Sequence, residues 1–155
     1  MRSTRAERAQ GRDARSTVVE SLGKVWLFTI APLEFRARSA THVARIGPLP
    51  LVDAKQFAAV YMEGVFEPGM HSMVHRHAGA EAWLTLDGSM CVETPEGKQT
   101  QTAGDPGVVV PGGLPMMLTG TGTKVRRSLV LILQDATQPR STPATDWTPR
   151  NLCHS

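Results

Sequence analysis

The most constraining feature of this chain is its punctuation. Between residues 24 and 133 it reads as short β-prone runs at 25–30, 56–66, 73–77, 81–86, 90–94, 108–110, 116–119 and 124–133. Turn-forming groups separate them: Pro68-Gly69, Asp87-Gly88, Pro95-Glu96-Gly97, Gly104-Asp105-Pro106-Gly107, Pro111-Gly112-Gly113 and Gly120-Thr121-Gly122. Runs this short, cut this often, cannot carry helices. They predict an all-β sandwich or barrel, with at most a helical turn over 53–57. The chain has 155 residues, 41% hydrophobic and 20% charged, which is enough for one globular domain with its own core.

Charge is unevenly placed. The net charge is +3, yet residues 1–18 carry Arg2, Arg5, Arg8, Arg12 and Arg15 against Glu7 and Asp13, so the remainder is balanced. Segment 1–18 therefore reads as a disordered basic tail, 19–134 as the barrel with its N-terminal strands, and 135–155 as a C-terminal strap in which Trp147 docks on the body. A neutral body excludes a nucleic-acid surface as the default. No apolar run approaches the roughly 20 residues that cross a bilayer. The first apolar stretch, 25–30, comes late and ends at Pro32 without a small-residue cleavage pattern, so a cytoplasmic protein is expected. Cys91 and Cys153 are the two cysteines, and a domain of this size needs no disulfide to fold.

Chemistry concentrates in one place. Three of five histidines, His71, His75 and His77, fall within seven residues. On a strand, residues two apart share a face, so His75 and His77 converge from one wall. Glu81 follows after the small-residue turn Ala78-Gly79-Ala80. Two imidazoles and a carboxylate make a facial triad suited to iron and related divalent metals, with positions left for water or substrate. A hydrogen-bonded polar cluster is the plainer alternative, but burying three ionisable groups without an ion carries a desolvation cost.

A two-residue turn at Asp87-Gly88 would pair 81–86 with 89–94 as a hairpin. Glu81, Trp83, Thr85, Met90 and Val92 would then face one way. Ala82, Leu84, Leu86 and Cys91 would form a second apolar face, Cys91 a buried thiol, covered by another sheet, the N-terminal segment or a second subunit.

Gly69, five residues, His75, one residue, His77, three residues, Glu81, six residues, Gly88 resembles the first cupin motif in full. Gly104 to Pro111-Gly112-Gly113 resembles the second motif with one extra residue. Where that motif places its last histidine stands Met116, and Gly120 stands where an Asn is usual. The resemblance spans about 58–134 and implies a cupin-type double-stranded β-helix, a jelly-roll barrel. It implies His75, His77 and Glu81 as ligands for a divalent transition metal, one of iron, manganese, nickel, copper or zinc. Met116 leaves three readings open: three ligands completed by water, a copper-leaning site with the thioether bound, or a pocket that has lost its metal.

Around that centre, Met73, Trp83, Met90, Met116 and Tyr61 are expected to line a substrate pocket. His71 shares parity with His75 and His77, so it is a candidate ligand or proton shuttle beside Glu81, although a rim histidine facing water is the plainer reading. Arg76 should point outward to a partner subunit, in keeping with a homodimer, and Arg126-Arg127 reads as a solvated strand end. A metal-dependent oxygenase, isomerase or cyclase acting on a small organic molecule is the expected function; a non-catalytic small-molecule sensor is the alternative.

Overall fold

The computed structural model describes residues 15–38 and 40–154. Among them there are eleven strands and no helix, so the expected turn of helix at 53–57 is irregular chain over 53–56 followed by the first residue of a strand at Phe57. The chain divides between Ala44 and Arg45 into two compact units.

The first unit is a hairpin of β1 (Arg15–Ser21) and β2 (Lys24–Ile30), paired from Arg15 opposite Ile30 to Ser21 opposite Lys24. The Trp26 indole donates to the Ser21 carbonyl at 2.9 Å, and the Ser16 and Thr29 hydroxyls meet at 2.7 Å. Residues 15–18, read as tail, are thus strand. Arg15 to Ser21 carries no clean apolar alternation, and its strand state comes from pairing with the apolar β2. The tail expectation for 1–14 lies outside the described residues.

The second unit holds β3 (Phe57–Phe66), β4 (His75–His77), β5 (Gly79–Asp87), β6 (Ser89–Thr94), β7 (Gly97–Thr102), β8 (Val108–Val110), β9 (Met117–Thr121), β10 (Arg126–Asp135) and β11 (Ser141–Pro143). One antiparallel sheet runs β3-β10-β5-β8, a second β7-β6-β9, and β4 pairs with β11. Single bridges, His71 to Thr119 and His75 to Met116, set the histidine segment beside β9. The two main sheets enclose one core. Trp83, Val108, Val110, Val130 and Ile132 enter from the first; Met90, Val92, Met116 and Leu118 come from the second or its edge. This is the expected all-β arrangement, with separate facing sheets in place of a single closed ladder.

Asp87-Gly88 does not close the expected hairpin. β5 pairs with β10 and β8, and β6 with β7 and β9, so the chain crosses between sheets at Gly88. Gly88 has φ 70°, and a Cβ there would lie 2.8 Å from both the Arg126 Cα and the Val125 carbonyl, so a side chain would block the crossing. The inward residues were nevertheless read correctly, because alternation within each strand is independent of its partner.

The strap is part of the fold. Its β11 adds a strand beside β4, and Trp147 is half-buried. Cys153 forms a disulfide with Cys91, so neither cysteine is the free thiol expected. Beside it the buried Glu93 carboxylate accepts the backbone N–H groups of Arg150 and Leu152. The outer face of β6 is therefore covered by the chain's own terminus. Arg76 does point outward, but to that same strap: it makes two contacts with the Asp146 carboxylate at 2.7 and 2.8 Å. Disulfides persist in oxidising surroundings, which is a consideration against the cytoplasmic expectation that the 25–30 stretch suggested. No described helix is long and apolar enough to cross a membrane.

The bridge closes a separation of 62 residues. Loop-closure entropy over that length predicts that Cys153→Ser lowers unfolding free energy by about 4 kcal/mol. Denaturant titration without reductant checks this, and an unchanged midpoint would show that the strap holds without the bond.

Candidate metal centre

His75 and His77 stand at the two ends of β4, a strand only three residues long, and both turn inward. His77 is 6% exposed. Glu81 enters from β5, where alternation with Trp83 and Thr85 points it into the same interior, and it is 3% exposed. One ligand atom from each of the three lies within 4.8 Å of the others.

The backbone decides which imidazole nitrogens face the centre. His75 Nδ1 lies 2.7 Å from the Met73 carbonyl, and His77 Nδ1 lies 2.6 Å from the Arg140 carbonyl. A carbonyl only accepts, so both Nδ1 atoms carry the proton and both Nε2 lone pairs are left for an ion. His77 Nε2 stands 3.3 Å from Glu81 Oε2. That contact is off hydrogen-bond geometry, and the buried oxygen has no hydrogen-bond donor. Burial pushes the His77 imidazole down, yet Glu81 and the Arg140 carbonyl together outweigh it and hold its pKa above the ordinary value. Two oriented Nε2 atoms and an unsatisfied buried carboxylate oxygen fit a divalent transition metal.

The centre opens on a cavity of about 410 Å³. Trp83 and Met73 line it as expected, Met73 from its exposed rim. Met90 and Met116 are each 1% exposed and belong to the core, and neither is among the residues that line the cavity. Tyr61 is misplaced by the sequence reading. Val60, Met62 and Phe66 of β3 pack against the core, so Tyr61 has the outward parity.

His71 is corrected for a different reason. His71 and His75 are four positions apart, but their partners Thr119 and Met116 are only three positions apart. The histidine segment therefore carries one extra residue, a bulge, and a one-residue slip reverses facing. His71 is exposed, with its ring 6.4 Å from that of His154 and away from the centre. Met116, by contrast, sits directly opposite His75, exchanging both backbone hydrogen bonds with it at 2.8 and 3.1 Å. It occupies the expected position beside the candidate ligands.

One functional residue was missed altogether. Arg126, read as part of a solvated strand end, is 2% exposed and lines the cavity, whereas Arg127 is exposed. Ser128, Val130 and Ile132 share its parity and are all buried. That parity was the available signal, but an apolar run from Leu129 to Leu133 hides which half faces in.

No protein-family model matches the chain, and no curated protein matches it. Solved structures similar in fold include a cupin-like protein from Thermotoga maritima, with 17% identity and a TM-score of 0.48, covering 56% of this chain and 64% of that one. A cupin superfamily protein from Desulfitobacterium hafniense has 18% identity and a TM-score of 0.44, covering 59% and 100%. An oxalate oxidase has 18% identity and a TM-score of 0.47, covering 56% and 46%. Likenesses of this size concern fold alone.

Because Met116 faces His75 across the ladder, Met116→His should add a fourth ligand, the third nitrogen, and tighten manganese or iron binding at least tenfold. Titration calorimetry checks this. Unchanged affinity would mean that the Met116 side chain does not reach the ion.

Proposed function

We propose that this chain is a small metal-dependent enzyme, with His75, His77 and Glu81 holding one divalent transition metal at the head of the cavity. The observation that supports this best is the pair of fixed imidazole tautomers, both presenting Nε2 beside a buried carboxylate oxygen without a donor. A bound ion of this kind supplies Lewis acidity or oxygen activation to a small organic molecule. The chain's own residues do the rest. Trp83 and Val130 exclude water from the inner wall, and Glu81 is the candidate to hold or move a proton. His71 is not part of this proposal, since it faces away.

Met116 keeps a second reading in view. With Met116 standing where a third histidine would complete the set, a site that binds a small molecule without turning it over is the alternative. Metal-loaded protein offered small aromatic or keto acids should consume oxygen or yield an isomerised product if it is an enzyme; saturable binding without product would favour the sensor.

Elemental analysis of protein purified without chelator is expected to find close to one transition metal per chain, lost in the His75→Ala, His77→Ala double variant. Protein that is metal-free and resists reconstitution would overturn the metal reading.

A homodimer is proposed on different grounds. Among the described residues β3 is a ten-residue strand standing last in its sheet, with Phe57 and Val65 exposed, a surface of the kind a second copy covers. Light scattering should give twice the chain mass, and a monomer mass at micromolar concentration would refute it.

A further inference from the structure

The cavity holds a cation that the metal reading does not use. Arg126 comes from β10 opposite Phe66, and its guanidinium lies 5.8 Å from that ring's centre. Its Nε donates to the Thr85 hydroxyl at 3.4 Å; Thr85 donates to the Gln101 amide oxygen at 2.7 Å, and the Gln101 amide nitrogen to the Pro106 carbonyl at 2.7 Å. Thr85 and Gln101 are each 2% exposed, so this relay holds the guanidinium from the buried side. Gly64 makes its room: a Cβ there would lie 2.6 Å from Arg126 Nη1.

That scaffold leaves donors unspent. Arg126 Nη2 is buried with no hydrogen-bond partner, and so is the indole N–H of Trp83, which lines the same cavity. Thr85, to which Arg126 donates, is two residues from Trp83 on the same face of β5, so both unspent donors belong to residues that face the one cavity. Burying a guanidinium costs free energy unless an anion meets it. Glu81 is the negative charge that acts on it, and Glu81 is also the proposed metal ligand. With a divalent ion on the triad, the charges lining the cavity, Arg126 and Arg140 against Glu63 and Glu81, leave an excess of positive charge.

We propose that the cavity takes a small organic carboxylate, its carboxylate group received by Arg126 Nη2 with the Trp83 N–H beside it and its remainder directed toward the His75, His77, Glu81 centre. This deepens the metal-cavity reading and rests on it for the position of the second end of the substrate. A carboxylate fits better than a phosphate. The unspent donors, Arg126 Nη2 and the Trp83 N–H, suffice for the two oxygens of a carboxylate, whereas a phosphate dianion calls for more donors than these provide. Arg126 is then the residue that selects the substrate class.

The test is binding by the full chain, metal-loaded and chelated, of acetate, pyruvate and benzoate against acetamide, pyruvamide, benzamide and inorganic phosphate, read by ligand-observed NMR or calorimetry. At least one carboxylate should bind tenfold or more tightly than its amide and more tightly than phosphate. Arg126→Gln should remove that preference while leaving amide binding and metal content as they were, and Arg126→Lys should restore part of it. Should Arg126→Gln fail to fold, Gly64→Ala displaces the guanidinium without removing its charge and should weaken the carboxylate tenfold. A folded Arg126→Gln protein that keeps the preference, a wild type that shows none, or tighter binding of phosphate would each overturn the proposal. Metal content separates the two readings. Arg126-dependent carboxylate binding by a protein that takes up no metal would sink the metal centre and leave the carboxylate site standing.

Discussion

The geometry of the centre depends on a strand of three residues, His75–His77, held by backbone pairing on both edges. On one edge His75 exchanges hydrogen bonds with Met116; on the other, Ser141–Pro143 adds the strap as a partner. A three-residue strand has too few ladder bonds to stand alone. Its neighbours therefore set where the two imidazoles point. The strap does so twice, since Arg140, immediately before β11, also supplies the carbonyl that fixes the His77 tautomer.

The same dependence links remote parts of the chain to the centre. The strap is fastened by the Cys91–Cys153 disulfide, by the Glu93 carboxylate gripping two backbone amides, and by Arg76 reaching Asp146. None of these touches the cavity, yet each holds the segment that orients His77. A terminus that reads as a loose strap thus acts as the outer support of the candidate metal centre.

Inside, the cavity sets the buried Glu81 carboxylate and the buried Arg126 guanidinium on one lining. Burial lowers the Arg126 pKa to about 10, partly opposed by the charge of Glu81, so the group stays protonated at neutral pH. Apolar walls strengthen whatever electrostatic contact a bound molecule makes with these groups. The relay through Thr85 and Gln101 fixes the guanidinium before any ligand arrives, which lowers the ordering cost of binding.

Local pattern and long-range register divide the legibility of this protein. The turn groups and β-prone runs marked most strands, and the spacing of His75, His77 and Glu81 picked out the centre, because strand alternation and a short turn are local properties. The missed strands, Arg15–Ser21, Gly97–Thr102 and Ser141–Pro143, are polar and take their state from partners. The errors at His71, Tyr61, Arg126 and the Gly88 corner all concern facing or pairing. One bulge between His71 and His75 reverses a side chain without leaving a mark in residue types, and an all-apolar run conceals parity in β10. The sequence by itself determined an all-β chain with a two-histidine, one-carboxylate group, since these follow from spacing along a strand. Only the tertiary structure decided that the terminus is bonded to β6, that His71 faces out and that Arg126 faces in, because pairing partners lie far apart in the chain and a slip of one residue changes every facing beyond it.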